Sequence, residues 1–392
     1  MKGTALVVGG SNGIGAAICL ELLDRDYGKI YILDRQEPCG ELDNEKISFL
    51  RFNLVNKDIS ILNRFHDIDS LVITAGFGRI APFEDITDIE IMNGYGVNTI
   101  AVTRIIRHYY HRIISDHDFY TCIVGSIAGL VSSPMFSVYG ATKAAVCKLV
   151  ESLNIEIEKY GSNNRILNVS PGAVPGTAFN GEANDLGLVK GLAMEIVNRM
   201  QNREVLYIPD YDGIYKNVIE RYNNNSRGFG LESYDYKMSR NTITEPQIKT
   251  GYLSGTFDLF HIGHLNLLRR AKDYCDQLIV GVHKDASHKR KATFIPFQER
   301  LEIIKGIKYV DRVVESCPED SDAYIEFKYD YLFVGSDYKG SERFNRYETF
   351  FKDKDVKIIY LPYTKETNST QLRNIISLQN CYRTPDPLLE DQ

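Results

Sequence analysis

Between a short β-branched run, Thr250–Ser254, and an apolar segment of helical period from Leu265 to Tyr274 stands Gly255-Thr256-Phe257-Asp258-Leu259-Phe260-His261-Ile262-Gly263-His264. No other ten residues constrain the fold as much, because they read as a strand, a glycine turn and a helix N-terminus in succession. Such a junction leaves backbone N–H groups unpaired beside a positive dipole end, so it suits a phosphate chain. His261 and His264, three apart at the mouth of the helix, point to one side and can both donate to the same phosphates. A His pair that only caps the helix, or that binds a metal with Cys275, is the plainer alternative. Neither accounts for the glycines or for Asp258.

At 392 residues the chain is too long for one ordinary domain and about right for two. A formal net charge of −6 argues against general nucleic-acid binding, which needs a basic face. The seven Cys, at 19, 39, 122, 147, 275, 317 and 381, form no CxxC pair and are odd in number, which points to a reduced, cytoplasmic protein. No apolar run approaches the roughly 18 residues of a membrane span, and Met1–Gly10 enters a strand and glycine turn directly, so neither a membrane anchor nor export is expected.

The first half repeats the phosphate-binding logic. Thr4–Val8 is strand-like and leads into Gly9-Gly10-Ser11-Asn12-Gly13-Ile14-Gly15 and an amphipathic helix. The glycines allow a tight turn against which a pyrophosphate can lie. A second strand, Lys29–Leu33, ends in Asp34, where a carboxylate can accept from a ribose hydroxyl. That favours NAD(H), although Arg35 beside it favours NADP(H). Further strand-like runs at Ile47–Phe52, Ser70–Thr74, Tyr120–Gly125 and Arg165–Val169 alternate with helical patterns and imply a parallel, doubly wound α/β sheet with ligands at the strands' C-terminal ends. Ser126 stands at one such end. Tyr139 and Lys143, four apart, share a helical face, so an ammonium can sit near the phenol and favour its phenolate.

This constellation resembles the short-chain dehydrogenase/reductase family over about residues 1–220. The resemblance places the glycine fingerprint on Gly9, Gly13 and Gly15, with Ser11, Asn12, Ile14, Asp34, Ala75 and Gly76 beside the dinucleotide. It places the catalytic tetrad on Asn98, Ser126, Tyr139 and Lys143, and a cofactor-binding turn on Pro171-Gly172, with Thr177 meeting the nicotinamide carboxamide. Val8 and Ile73-Thr74-Ala75-Gly76 depart from the family's usual Thr and NNAG. The segment after Pro171, with a helix near Leu188–Met200, is expected to cover the substrate, and Lys190, Arg199 and Arg203 are candidates for a substrate phosphate. Domain boundaries follow at 1–222 for the reductase, 223–248 for a linker where periodicity lapses, 249–380 for the second domain and 381–392 for a tail.

In the second half, Gln277–Val282, Arg312–Val314, Tyr331–Val334 and Lys357–Tyr360 continue the strand–helix alternation as a smaller Rossmann-like sheet. Lys289, Arg290, Lys291 and Arg300 offer cations to a triphosphate. Asp337 can border the base, and Ser369-Thr370 with Arg373 can bind β- and γ-phosphates. The stretch from Gly255 to His264 resembles the HxGH signature of nucleotidyltransferases, and GTFD ahead of it resembles the cytidylyltransferases of the glycerol-3-phosphate type. The resemblance covers about residues 250–378. It assigns Thr256, Phe257, Asp258, His261, His264, a Lys from 289–291, Arg300, Asp337, Ser369 and Thr370 to the nucleotide. CTP is implied, with Mg2+ held mainly by the triphosphate, Asp258 its one protein candidate and no other metal; the Ser-Thr-x-x-Arg ending keeps an adenylyltransferase open.

Together the halves imply a bifunctional enzyme. It would reduce a keto-sugar phosphate to an alditol phosphate and transfer CMP to it, giving a CDP-alditol, a pentitol such as ribitol first, for capsule or teichoic-acid-like polymers. The alternative is a cytidylyl- or adenylyltransferase with a regulatory NAD-binding domain. The partners expected are small molecules, with self-association implied by both families.

Overall fold

The computed structural model describes residues 3–55, 58–177, 179, 184–240, 243–246, 248–285, 293–362 and 371–373. The chain forms two compact units, Met1–Gln247 and Ile248–Gln392.

The first unit is built on one parallel sheet of seven strands: β1 Thr4–Val8, β2 Lys29–Asp34, β3 Ile47–Arg51, β4 Ser70–Ile73, β5 Tyr120–Val124, β6 Ile166–Val169 and β7 Leu206–Tyr207. Their spatial order is β3-β2-β1-β4-β5-β6-β7. The helices are α1 Gly13–Asp24, α2 Asp88–Tyr95, α3 Val102–Ile113, α4 Ser137–Lys159, α5 Leu186–Gln201, α6 Lys216–Asn224 and α7 Ser226–Ser239. The central strands are apolar at nearly every position because both faces are covered. Along β1, Ala5 and Val7 pack on the side of α1 and α5, and Leu6 and Val8 on the side of α3 and α4. Strand order reverses between β1 and β4, which pair in parallel with Val8 opposite Ile73. A crevice therefore opens beyond the C-terminal ends of these two strands.

Two elements differ from expectation. Helix α5, expected to cover the substrate, is a core helix: Val189, Ala193, Ile196 and Val197 are fully buried in the cluster that also holds α1. The stretch 223–248, expected as a linker, instead carries α7, and the first compact unit runs on to Gln247.

The second unit has five parallel strands, β8 Thr250–Gly255, β9 Gln277–Val282, β10 Arg312–Glu315, β11 Tyr331–Gly335 and β12 Lys357–Leu361, in the order β10-β9-β8-β11-β12. Its helices are α8 Ile262–Lys272, α9 Phe297–Lys305, α10 Asp320–Phe327 and α11 Glu342–Phe351. Aliphatic residues such as Leu253, Leu268, Val280 and Ile304 fill one face. The other is aromatic, with Tyr252 stacked on Tyr329 at 5.2 Å between centroids. Here the order reverses between β8 and β11, so the Gly255–His264 loop and Gly335–Tyr338 leave the sheet side by side. Among the described residues no helix is long and apolar enough to cross a membrane.

Candidate active sites

In the first unit the crevice is a cavity of about 1030 Å³, at the top of the ~300–1,000 Å³ range usual for ligand sites. Of the residues nominated for dinucleotide and catalysis in this half, all line it except Ser11 and Asn98, which are fully buried behind its wall.

The glycine turn is shaped by close approach. Gly9 has φ +87, and a Cβ there would stand 2.4 Å from Ala75 N; a Cβ on Gly15 would stand 2.2 Å from Gly9 O. Thr74, a departure from the family pattern, has a use here: its Oγ1 donates to Gly9 O at 2.8 Å and ties the end of β4 to the turn. Gly13 N donates to Asn184 Oδ1 at 2.9 Å, so this amide presents its hydrogen to an oxygen. At the other end, Asp34 accepts from Ser11 N at 3.1 Å and Gln36 N at 3.2 Å, which fixes its carboxylate at the cavity wall. These features fit a dinucleotide: amides for a pyrophosphate, bare glycines for close contact and a held carboxylate for a ribose.

The side chains expected to be catalytic lie at the same cavity. Ser126 follows β5 and its Oγ accepts from Ala128 N at 3.1 Å. Tyr139, in the first turn of α4, stacks on Phe136 at 4.2 Å and meets Phe179 at 5.3 Å. Lys143 is 3% exposed, donates to Val124 O at 2.8 Å and has its Nζ 5.7 Å from the Tyr139 ring centre. Burial lowers Lys143 to about 8. Burial also raises Tyr139 to about 12, against a smaller downward pull from the Ser126 hydroxyl. The phenolate that the Tyr–Lys spacing suggested is thus disfavoured here, because desolvation of the ring oxygen outweighs its neighbours; the phenol is held protonated, as a proton donor must be. Asn98 lies in a π-helical turn, Gly96–Ala101, between α2 and α3. Its amide donates to Phe77 O at 2.8 Å and Thr142 Oγ1 at 3.0 Å, so it braces the wall below Lys143.

Lys190, Arg199 and Arg203 do not reach the cavity. Arg199 pairs with Glu204 at 2.6 Å and lies over Tyr207, Arg203 pairs with Asp118, and Lys190 stands 4.0 Å from Asp24. Among the described residues, the cations that do line it, besides Arg35 and Lys143, are Arg221 and Lys237, to which the sequence pattern pointed in no way.

In the second unit, His261 is the N-cap of α8: its Nδ1 accepts from Gly263 N at 3.0 Å. The capping alternative is therefore real, and it also sets the neutral tautomer, leaving the proton on Nε2. Burial holds the His261 pKa below its ordinary value. His264 stacks on His261 with ring centres 4.0 Å apart. Cys275 is buried in the core and donates to Ala271 O, which removes the His–Cys metal alternative. The Thr256 hydroxyl is buried with no hydrogen-bond partner among the described residues, a cost of ~1–3 kcal/mol that a bound ligand would relieve.

Asp258 and Arg300 differ from expectation. Asp258 is 3% exposed and accepts from Ile295 N at 2.9 Å, from Phe294 N at 3.1 Å and from Arg373. Its carboxylate is spent on the loop and does not fit a magnesium ligand. Phe257 and Leu259, on either side of it, have φ 52 and 51, the left-handed region that costs non-glycine residues about 1 kcal/mol or more each. Arg300 is fully buried and donates to Thr256 O at 2.6 Å, His283 O at 2.7 Å, Lys284 O at 2.8 Å and Ile295 O at 2.9 Å. It clamps the walls of the site instead of meeting a triphosphate. Lysine has no planar fork for four carbonyls. We expect Arg300→Lys to lose about 3 kcal/mol of stability in this unit, measured as a lower urea midpoint for loss of pyrophosphate release.

Asp337 is exposed at the end of β11, on the edge shared with the Gly255–His264 loop. Lys289, Arg290, Lys291, Ser369 and Thr370 lie outside the described residues.

Comparison with known proteins agrees with this division. The family model described as short chain dehydrogenase matches residues 3–186, and the one described as Cytidylyltransferase-like matches 252–375. The glycerol-3-phosphate cytidylyltransferase of Bacillus subtilis (strain 168) is 32% identical over 127 residues, 31% of this chain and 93% of that protein. That of Staphylococcus aureus (strain NCTC 8325 / PS 47) is 33% identical over 123 residues, covering 30% and 88%. A solved short-chain dehydrogenase from Streptomyces avermitilis matches with a TM-score of 0.49 and 21% identity, over 61% of this chain and 99% of that one. The chain therefore belongs to the cytidylyltransferase-like family through residues 252–375, joined in one polypeptide to a short chain dehydrogenase domain at residues 3–186.

Proposed function

We infer that the two units catalyse consecutive steps, reduction of a keto-sugar phosphate to an alditol phosphate and transfer of CMP from CTP to that phosphate, releasing pyrophosphate and a CDP-alditol. The observation that carries this reading is the pairing, in one chain, of a Ser126–Tyr139–Lys143 cavity with a unit related to the Bacillus subtilis glycerol-3-phosphate cytidylyltransferase over 93% of that protein's length. A pentitol such as ribitol is the favoured product.

When bound, the reduced dinucleotide supplies the hydride. Asp34 favours NADH, since its carboxylate would repel a 2′-phosphate. Ser126 hydrogen-bonds the substrate carbonyl oxygen and Tyr139 gives it a proton. Lys143 stabilises the phenolate that this leaves. In the second unit, a phosphate oxygen of the alditol phosphate attacks the α-phosphorus of CTP in line. His261, His264 and the α8 N-terminus meet the charge that develops on the phosphate oxygens, and positioning with charge stabilisation supplies most of the acceleration.

The test is mass spectrometry of products after incubation with CTP, NADH or NADPH, magnesium and a panel of ketose phosphates. A CDP-alditol that needs both CTP and the reduced dinucleotide is expected. Formation of an AMP-linked product from ATP instead, or of no nucleotide product, would overturn the reading.

A further inference from the structure

Helix α7 turns one face into the reductase cavity. Phe229, Glu232, Ser233, Tyr236 and Lys237 all line it, and their spacing of three, one, three and one residues is that of a single helical stripe. Asn225 starts the helix by accepting from Gly228 N at 2.9 Å. Tyr222 meets Phe229 edge to face at 5.8 Å and holds α7 to α6. The far end docks on the loop that follows Ser126: Lys237 Nζ donates to Ser133 Oγ and Pro134 O, each at 2.7 Å.

The chemistry of that end is suited to an anion. Of the two cations that α6 and α7 bring to the cavity, Arg221 is paired with Glu232. Ser133 Oγ and Pro134 O, which accept from the Lys237 ammonium, are both uncharged oxygens. Burial lowers Lys237 to about 8, and a group whose charged form is disfavoured by burial gains when an anion arrives. Ser132 and Ser133 bring hydroxyls to the same cavity, and an ammonium with neighbouring hydroxyls is a donor set for phosphate oxygens. One loop thus carries Ser126 for a carbonyl at its start and the two serines further along.

We propose that Lys237, with the Ser132 and Ser133 hydroxyls, anchors the phosphate of a small phosphorylated keto-sugar whose carbonyl lies against Ser126 and Tyr139. This rests on the reductase reading above and names the group by which that site selects its substrate.

The test uses the full chain with three phosphorylated ketoses, ribulose 5-phosphate, xylulose 5-phosphate and fructose 6-phosphate, each beside its unphosphorylated form. The wild-type kcat/KM is expected to favour the phosphorylated form of the preferred sugar about a hundredfold. Lys237→Gln lowers that ratio about 30-fold, mainly through KM, as expected for a lost hydrogen bond to a charged group, while Lys237→Arg keeps most of it. Inorganic phosphate competes with the ketose phosphate and raises the thermal midpoint of the wild type more than that of Lys237→Gln. A wild-type ratio near one overturns the anchor even if the glutamine variant fails to fold, as does a ratio that Lys237→Gln leaves in place. In both cases the reductase reading stands. No dinucleotide oxidation with any sugar overturns that reading, and the anchor with it.

Discussion

Tyr139→Phe lowers kcat for carbonyl reduction about a thousandfold, within the ~10²–10⁴ range for a positioned proton donor. The substitution removes one oxygen and keeps the ring that stacks on Phe136 and packs beside Phe179, so the loss reports chemistry and not the fold. Dinucleotide affinity, measured by fluorescence titration, stays close to that of the wild type, and pyrophosphate release is retained. The pH dependence follows from the same pair. Lys143 is charged below about 8, while Tyr139 keeps its proton up to about 12. The kcat/KM for reduction, which reports the free enzyme, is therefore level below pH 8 and falls as Lys143 loses its proton above it. A profile that stays level well above that point would remove Lys143 from control, and a Tyr139→Phe variant that oxidised NADH at the wild-type rate would make the first unit a non-catalytic binding module.

His264→Ala lowers the rate of pyrophosphate release by about 10²–10³, the usual cost of deleting one donor aimed at developing charge. Alanine removes both a hydrogen-bond donor and the ring stacked 4.0 Å from His261, so the surviving histidine also loses a wall. Carbonyl reduction, assayed on the same preparation, is retained, because the described residues that line the reductase cavity all belong to the first unit. Loss of both activities would show that the two units do not work independently.

What the sequence made legible was whatever depends on local pattern. Apolar runs such as Thr4–Val8 and Gln277–Val282 are strands at those residues because parallel strands covered on both faces need continuous apolar character. Gly9 and Gly15 were readable because only glycine tolerates neighbouring backbone atoms and the Thr74 hydroxyl so near. What was not legible depends on which way a side chain faces after packing. Arg300 in a list of residues looks like any phosphate-binding cation, yet its guanidinium is consumed by four carbonyls. Asp258 looks like a metal ligand, and two backbone amides and Arg373 claim it. Helix α7 was hidden because Asn223–Gly228 has the composition of a turn; Asn225 is in fact a cap, and the stripe Phe229, Ser233, Tyr236, Lys237 was the signal that a helix follows.

The bond between Arg373 and Asp258 spans 115 positions of the chain. During synthesis the last strand of the second sheet, Lys357–Leu361, is made before Arg373 exists. A chain that ends between these points has the five described strands of this sheet but lacks the guanidinium that joins Phe294 N and Ile295 N in holding Asp258. A premature stop before residue 373 therefore leaves Asp258, which stands between the left-handed Phe257 and Leu259, with the two backbone amides alone.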